Sequence, residues 1–346
     1  MALTGRADAP PLGPPAGFVG AARRLGASIA ERSGVQLDAL ALLGERAAIS
    51  GFTRHGDRSC GGATRLLRAV DGWVGVALAR GDDIDAVPAW LEATGDGDVW
   101  EVVANEVAAR PVHALIERAR LLGLPVAALG ADLPSVTDGT EGRGPAKPID
   151  DAVVVDLSSL WAGPLCGHVL QLAGARVVKV ESPERPDGAR RGPRQFFDLL
   201  NGGKESVALD FHDPALQKLV ADADVVIESS RPRALQQFGI GPSADQVWLS
   251  ITAYGRHSNG VGFGDDAAVA GGLVVWDQAG PCFCVDAVAD PLTGLTAAEL
   301  CLAALEHGRR GLIDVPLAGV AARFAGPTLG VRSDVEAASP RARPST

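Results

Sequence analysis

The chain has 346 residues, of which 47% are hydrophobic and 21% are charged, and its formal net charge is −10. This length can bury a large core and suggests two domains or one composite unit. The negative balance argues against nucleic acid as the main partner, because a phosphate-binding surface is basic overall. A small anionic ligand held by a local basic patch stays compatible with this composition.

Targeting segments and metal-ligand motifs are not apparent. The first residues, MALTGR, lack the apolar core of a secretory signal, and no apolar run reaches the length of a membrane span. Five cysteines without a C-x-x-C pair predict reduced thiols rather than disulfides or a zinc site. We therefore expect a cytoplasmic protein without a bound metal. The cysteines are Cys60, Cys166, Cys282, Cys284 and Cys301.

The first 149 residues are predicted to mix helices and strands. Asp71-Gly72 is typical of a hairpin turn in front of a strand. Residues 130–149 have no period and predict a linker. Apolar periodicity predicts helices over about 18–32, 83–93, 98–108 and 111–122, a further helical stretch and loop within 36–56, and strands over about 73–78 and 123–129.

From residue 150 onward, short and almost wholly apolar runs alternate with helical segments. This rhythm predicts an α/β fold with a doubly wound parallel sheet covered on both faces. Ligands on such sheets bind beyond the carboxyl ends of the strands. The predicted strands are 153–157, 177–180, 207–209, 225–227 and 247–251, and the predicted helices are about 164–174, 213–222 and 231–237.

A last helix is predicted to begin at Asp290, which would be its N-cap, with Pro291 at the first helical position. Apolar residues then recur at the helical period from Leu295 to Leu305. Capping alone would account for Asp290. The alternative is that a carboxylate fixed at a helix N-terminus acts as a nucleophile.

Two residue pairs elsewhere can each be interpreted in two ways, as part of a functional site or as an ordinary structural feature. Gly61 and Gly62 could form a mobile lid over a site, or could simply make a turn. Asp265 and Asp266 could do acid/base work or bind a cation, or could cap a helix.

Two loops could bind an anion. The loop after the strand at 153–157 contains Ser159, Trp161 and Ala162 and leads into a helix whose free N–H groups could meet an anion, or it is a tight turn only. The loop at 181–194 is rich in arginine, whose guanidinium groups suit phosphate oxygens, although scattered surface ion pairs are the alternative.

Together these stretches resemble the family III CoA-transferases, the group that includes formyl-CoA and carnitine CoA-transferases and the α-methylacyl-CoA racemases. Residues 1–149 resemble the half that normally follows the catalytic aspartate, so the order of the two halves is exchanged. The motifs that carry the resemblance lie within about 150–318: VDLSSLWAGP (155–164), LAGARVVKVE (172–181), NGGKESVALD (201–210), ADVVIE (223–228), SITAYG (250–255) and DPLTG (290–294).

The resemblance implies an architecture and a set of partners. It implies a Rossmann-like large domain over 150–326, a smaller α+β domain over about 36–110 within residues 1–149, and an interlocked homodimer. Residues 327–346 are predicted to be a disordered tail. The implied substrates are an acyl-CoA and a carboxylic acid, with no permanently bound cofactor, no metal, no nucleic acid and no membrane.

The resemblance also implies a mechanism and site residues. Asp290 would be the acyl-accepting carboxylate of a CoA-transferase that works through an aspartyl anhydride and an aspartyl-CoA thioester. Gly61 and Gly62 would form the lid, and Asp265 and Asp266 are possible accessory residues. The implied CoA-binding residues are Ser159, Trp161, Ala162, Arg185, Arg190, Arg191, Asn201, Lys204, Ser229 and Ser230.

The sequence departs from the family's usual pattern before this aspartate pair. Gly262-Phe263-Gly264 stands where the family commonly has Gly-Phe/His-Asp, and Asp265 comes one place later. Racemases of this group have a histidine where the chain has Phe263, which disfavours α-proton exchange here. A racemase-like enzyme and a non-catalytic CoA-binding paralogue are kept as the alternatives to a transferase.

Overall fold

The computed structural model describes residues 2–93, 97–230, 232–329 and 339–343. Its helices are α1 Phe18–Ser33, α2 Ala39–Leu42, α3 Glu45–Ser50, α4 Gly81–Leu91, α5 Val99–Ala108, α6 Val112–Leu122, α7 Ala162–Leu172, α8 Arg194–Asn201, α9 Pro214–Ala221, α10 Pro232–Gln236, α11 Gly264–Ala270, α12 Ala289–Glu306 and α13 Leu317–Phe324. Its strands are β1 Thr64–Arg68, β2 Trp73–Ala77, β3 Val126–Ala128, β4 Thr137–Arg143, β5 Val153–Asp156, β6 Arg176–Glu181, β7 Glu205–Ala208, β8 Val225–Glu228, β9 Val247–Thr252, β10 Val274–Asp277, β11 Gly280–Phe283 and β12 Arg309–Pro316.

A seven-stranded sheet lies at the centre of the fold, in the order β4-β12-β9-β8-β5-β6-β7. Neighbouring strands pair in parallel, except that the edge strand β4 is antiparallel to β12. The chain runs outward from β5 through β6 to β7, then returns to β8 and runs outward the other way. The predicted α/β class with a parallel central sheet is confirmed, and β5 and β8 flank the point where the direction changes.

The central strands form because both of their faces are buried, which the unbroken valine and isoleucine runs predict. Val154 and Val225 are fully buried in the core that also contains residues of α7 and α12. Their neighbours Val155 and Val226 face the opposite core, which contains Leu216 of α9. Each buried valine contributes about 1.5–3 kcal/mol relative to exposure, so alternate residues hold helices against both faces of the sheet.

A smaller antiparallel sheet, β1-β2-β3, is covered by α4, α5 and α6. The Asp71-Gly72 hairpin is confirmed, since Arg68 pairs with Trp73 on either side of it. Trp90 of α4 is buried in this core and donates from its indole N–H to Leu115 O, 3.0 Å away.

The sequence predicts a linker at 130–149, but this segment also contains the strand β4. The sequence of this strand, TDGTEGR, has no apolar alternation, and it forms by pairing with the otherwise open edge of β12. Residue 231, where a helix is predicted to start, lies outside the described residues.

The tail predicted to be disordered is described only in part, since residues 330–338 and 344–346 lie outside the described residues. In the described part, the Arg343 guanidinium pairs with the buried carboxylate of Glu45 and lies 3.0 Å from His168 Nε2. All five cysteines are buried free thiols. None of the helices in the described part of the chain has the length and hydropathy that a membrane crossing needs.

Candidate active site

Asp290 is the second residue of α12, and the helix is N-capped by Val288 without any side-chain cap. The predicted N-cap role of Asp290 is therefore wrong. Its N–H already donates to Ala287 O at 2.9 Å, because the helical turn forms before the aspartate is reached. The carboxylate is not used to cap its own helix, and the side chain is half-buried.

The turn in front of α12 holds two non-glycine residues in the left-handed region, with φ of 63° at Val285 and 41° at Ala287. Such backbone costs roughly 1–3 kcal/mol per residue and persists only where the surroundings over-determine it. Here the Val285 N–H donates to Thr4 Oγ1 at 3.1 Å, and the Ala287 N–H donates to Asp265 Oδ1 at 3.0 Å. The N-terminal segment and α11 therefore both hold the turn that precedes Asp290.

Gly264, the first residue of α11, lies directly against the Asp290 carboxylate. A Cβ at this position would lie 2.8 Å from Asp290 Cγ and would overlap both the carboxylate oxygen Oδ2 and the Ala287 carbonyl oxygen. A residue with a side chain at 264 would therefore displace Asp290.

Arg46 on α3 reaches this region from the N-terminal half of the chain. Its Nε and Nη2 donate to the two oxygens of Asp286, at 2.8 and 2.6 Å, in a bidentate pair. Asp286 is completely buried, whereas the Arg46 side chain is 27% exposed. The guanidinium carbon lies 5.1 Å from the ring centroid of Trp161 and 5.8 Å from that of Phe52.

Three carboxylates share this one guanidinium. Burial raises the pKa of Asp290 to about 7, with the Arg46 charge opposing the shift and the Asp265 and Asp286 charges adding to it. Burial also raises the pKa of Asp265 to about 6, and Asp286 again adds to the shift. Asp290 therefore changes its charge near neutral pH. A pKa in this range is typical of carboxylates at functional sites.

Asp266 is turned away to a different set of partners. Its carboxylate accepts from the Phe263 N–H at 2.7 Å and from the Tyr254 hydroxyl at 2.8 Å. Burial raises the pKa of Asp266 to about 7, although both hydrogen bonds oppose the shift. The interpretation of the aspartate pair as an N-cap is therefore wrong, because the N-cap is Phe263. Asp266 lies at the third helical position, and its side chain accepts from the backbone N–H of that N-cap residue.

The predicted glycine pair lies beside the same guanidinium. A Cβ at Gly61 would lie 3.7 Å from Arg46 Nη2 and 3.5 Å from the Phe52 ring, and Gly62 has a φ of 82°. The preceding Cys60 is buried, with its Sγ within 3.5 Å of Val285 O. The fold therefore brings residues 60–62 to the strained turn that precedes Asp290.

The predicted CoA-binding residues at the carboxyl ends of β5 and β8 also come together. The Ser159 N–H donates to Ser229 Oγ at 3.1 Å, and Ser230 follows with its N–H bound to Glu228 Oε2 at 3.0 Å. Trp161 and Ala162 are buried, and the indole of Trp161 packs edge-on against Phe196 at 5.2 Å.

The predicted basic residues fall into an exposed and a buried group. Arg185 and Arg191 are exposed, and Arg190 is exposed while pairing with Glu181 through two bonds of 2.9 and 2.6 Å. Lys204 is buried.

Lys204 donates to three internal acceptors: Asp156 Oδ2 at 2.9 Å, Pro164 O at 2.8 Å and Asn201 Oδ1 at 3.0 Å. All three protons of the ammonium are therefore used within the fold, and Asn201 is part of the same arrangement. The CoA-binding role of these two residues stays a prediction.

Sequence reasoning missed Arg46, Asp286 and Tyr254. Asp286 lies four residues before Asp290, and this spacing of two aspartates could have been noticed. Arg46 and Asp286 are 240 residues apart, and nothing in the local pattern around Arg46 points to the pairing. In the part of the chain that the structure describes, no group of three or more His, Cys, Asp or Glu side chains is arranged to hold a metal ion.

Comparison with known proteins gives partial matches. A probable fatty acyl-CoA transferase of Mycobacterium tuberculosis is 34% identical over 197 residues, covering 49% of this chain and 50% of the relative. A succinate–glutarate CoA-transferase of Agrobacterium fabrum is 31% identical over 192 residues, covering 47% and 48%. A succinyl-CoA–D-citramalate CoA-transferase of Chloroflexus aurantiacus is 29% identical over 149 residues, covering 37% of each. The chain thus spans about half or less of the length of these curated relatives.

Comparison with solved structures also gives partial matches. A crystal structure of the M. tuberculosis protein matches with 32% identity and a TM-score of 0.46, covering 52% of this chain and 56% of the other. A crystal structure of a CaiB/BaiF family protein from Brucella suis matches with 28% identity and a TM-score of 0.46, covering 52% of this chain and 55% of the other. The sequence model of CoA-transferase family III matches residues 149–344. Because this match covers more than half of the chain, the protein belongs to CoA-transferase family III.

Proposed function

We propose that the protein transfers CoA between an acyl-CoA thioester and a carboxylic acid, with Asp290 as the nucleophile. The observation that carries the proposal is the half-buried Asp290 carboxylate, which does not cap its helix and is subject to the charge of Arg46, in a chain of this family. A carboxylate with a pKa near 7 is more basic than an ordinary aspartate and is ionised just above neutral pH. Its relatives carry names of CoA-transferases, which supports the same reaction class.

The proposed reaction begins when an Asp290 oxygen attacks the thioester carbonyl. The carbon–sulfur bond breaks, CoA leaves as the thiolate, and a mixed acyl-aspartyl anhydride remains. The thiolate then attacks the aspartyl carbonyl, which releases the first carboxylate and leaves an aspartyl-CoA thioester. Each step replaces a direct exchange between two poor nucleophiles by easier acyl transfers.

The second half of the reaction reverses these steps with the acceptor acid. The acceptor carboxylate attacks the aspartyl-CoA carbonyl and expels the thiolate, which gives a new mixed anhydride. The thiolate attacks the acceptor's carbonyl, which forms the new acyl-CoA and restores the Asp290 carboxylate. The burial that raises the pKa of Asp290 also limits water, and exclusion of water protects an anhydride from hydrolysis. Gly61 and Gly62 are proposed to close over it.

We propose that CoA lies along the carboxyl ends of β5 and β8. Ser159 and Ser229 meet at the point where the sheet order changes direction, and this is where ligands bind to sheets of this kind. The exposed side chains of Arg185 and Arg191 are available to pair with the phosphates.

The interlocked homodimer, the Rossmann-like description of the large domain and a cytoplasmic location are further proposals that rest on the family resemblance. The relatives' names contain succinate, glutarate, citramalate and fatty acyl groups. The proposed substrate class is the one that these names share, an acyl-CoA together with a carboxylic acid.

The experiment is intact-protein and peptide mass spectrometry after mixing the protein with succinyl-CoA and, separately, with a long-chain acyl-CoA. We expect an acyl or CoA adduct on the peptide that contains Asp290, and its loss in Asp290→Asn. Asp57→Asn is the matched control, because Asp57 is exposed. The absence of an adduct with every donor, together with retained CoA binding, would support a non-catalytic paralogue. Deuterium exchange at the α-carbon in heavy water would support the racemase alternative.

A further inference from the structure

Arg46 makes contacts that suit an arginine and no other residue. It binds both oxygens of Asp286 through two N–H groups, at 2.8 and 2.6 Å, while its planar guanidinium lies near the rings of Trp161 and Phe52. Lysine carries the same charge but cannot make the bidentate pair, and glutamine has neither the charge nor the fork. The pair therefore combines a charge with a fixed geometry.

The partner of Arg46 is the middle residue of the strained turn. Asp286 stands between Val285 and Ala287, the two residues with left-handed φ, and it lies four residues before Asp290. A strained turn of this kind keeps its conformation only when its surroundings hold it. The bidentate pair is the strongest contact from a side chain to this turn, because it joins a full charge on each partner and Asp286 is completely buried.

The charges that act on Asp290 come from three elements. Arg46 of α3 is positive, whereas Asp265 of α11 and Asp286 of the turn are negative. The neighbouring Asp266 bonds to Tyr254 and to a backbone N–H instead. Removal of Arg46 would leave the three carboxylates without the cation that they share.

We propose that Arg46 is a positioning residue for Asp290, which it serves by clamping Asp286 and by placing a positive charge close enough to act on the Asp290 carboxylate. The clamp sets the start of α12, and the charge favours the ionised nucleophile. Residues 36–62 thereby contribute to a site whose nucleophile lies in the other half of the chain. This inference rests on the proposed function of Asp290.

The test measures the titration of Asp290 without any acyl-CoA. A water-soluble carbodiimide with a small amine labels the protonated carboxyl, and peptide mass spectrometry follows the label on the Asp290 peptide across pH. We expect Arg46→Gln to raise the midpoint by about one pH unit, because a positive charge is lost. Arg46→Lys retains the charge, so its midpoint should stay near that of the unchanged protein.

The rate of adduct formation supplies the second readout. We expect Arg46→Lys and Arg46→Gln both to form the Asp290 adduct roughly 100-fold more slowly, because the turn is no longer clamped. Arg176→Gln is the matched control, since Arg176 makes a similar bidentate pair with Glu205 at 2.7 and 2.8 Å on the exposed surface. Neither readout should change in this control.

The outcomes separate this inference from the proposed function. An unchanged midpoint in Arg46→Gln, with the melting temperature alone lowered, would overturn the inference even if Asp290 forms its adduct. A shifted midpoint in a protein that forms no adduct would support Arg46 as the partner of Asp290 and would contradict the transferase proposal. If Arg46→Gln does not fold, Asp286→Asn replaces it, and the inference then requires slower adduct formation with a lower midpoint.

Discussion

Two buried clusters of charged groups in this protein balance their charges differently. In the first, Asp156 pairs with Lys204 at 2.9 Å, and Asp187 pairs with Lys179 at 2.9 Å. Burial acts to raise the pKa of Asp156, but the two lysines outweigh it and lower the pKa to about 2. This cluster is neutral overall.

In the second cluster, Asp265, Asp286 and Asp290 share Arg46, so two of the three carboxylates have no counter-charge when all three are ionised. The pKa of Asp290 accordingly rises to about 7 through burial, and like charges add to the shift. The difference shows that burial alone does not raise the pKa of a carboxylate, because Asp156 is also buried and its pKa is lowered. In the balanced cluster the carboxylate of Asp156 stays ionised at neutral pH. In the unbalanced cluster the charge of Asp290 can change near neutral pH.

The largest effect is expected when a substitution removes a lysine from the balanced cluster. Lys204→Met should lower the free energy of unfolding by about 3–5 kcal/mol, because it leaves the carboxylate of Asp156 buried without its cation. Urea denaturation at pH 7 measures this. In the unchanged protein, the depressed pKa of Asp156 adds stability that is present above about pH 4 and is lost as the pH falls towards 2.

The control for this prediction is Arg176→Met, which breaks an exposed ion pair and should change the unfolding free energy little. If the two variants have equal stability, the interpretation of the Asp156 cluster as a structural support is wrong.

A smaller effect is expected where the backbone of Gly264 lies against Asp290, the proposed nucleophile. Gly264→Ala should slow adduct formation at Asp290 by roughly 100-fold, because the added Cβ would overlap the carboxylate and the Ala287 carbonyl. Single-turnover mass spectrometry measures the rate. Gly241→Ala is the matched control, since no heavy atom lies within 4 Å of a Cβ there. A full rate in Gly264→Ala would mean that Asp290 is not held against α11.

The smallest expected effect is a shift in the pH dependence of adduct formation when one negative charge of the second cluster is removed. Adduct formation in the unchanged protein should rise with pH around a midpoint near 7, because the proposed nucleophile is the ionised form of Asp290. Asp265→Asn should move this midpoint down by about one pH unit, since one like charge is removed while an oxygen that can accept from the Ala287 N–H remains. A midpoint that does not move would show that Asp265 is electrostatically remote from Asp290.

Local sequence predicted the secondary structure where burial is symmetrical. The valine-rich runs at β5 and β8 have no alternation, so a strand covered on both faces was the expected result. β4 was missed because its threonine and glycine residues carry no apolar pattern, and its pairing comes from the open edge of β12. Asp290 was placed wrongly at the N-cap because the helical turn that starts at Ala287 contains no sequence signal of its own.

The sequence by itself determined the parallel α/β architecture, the hairpin at Asp71-Gly72 and the presence of an aspartate in the first turn of α12. These features depend on residues that are close in the chain, through the period of burial and the geometry of turns. Only the tertiary structure decided which charges surround Asp290. Arg46 and Asp286 meet across 240 residues, and an electrostatic interaction depends on distance in space rather than on separation along the chain.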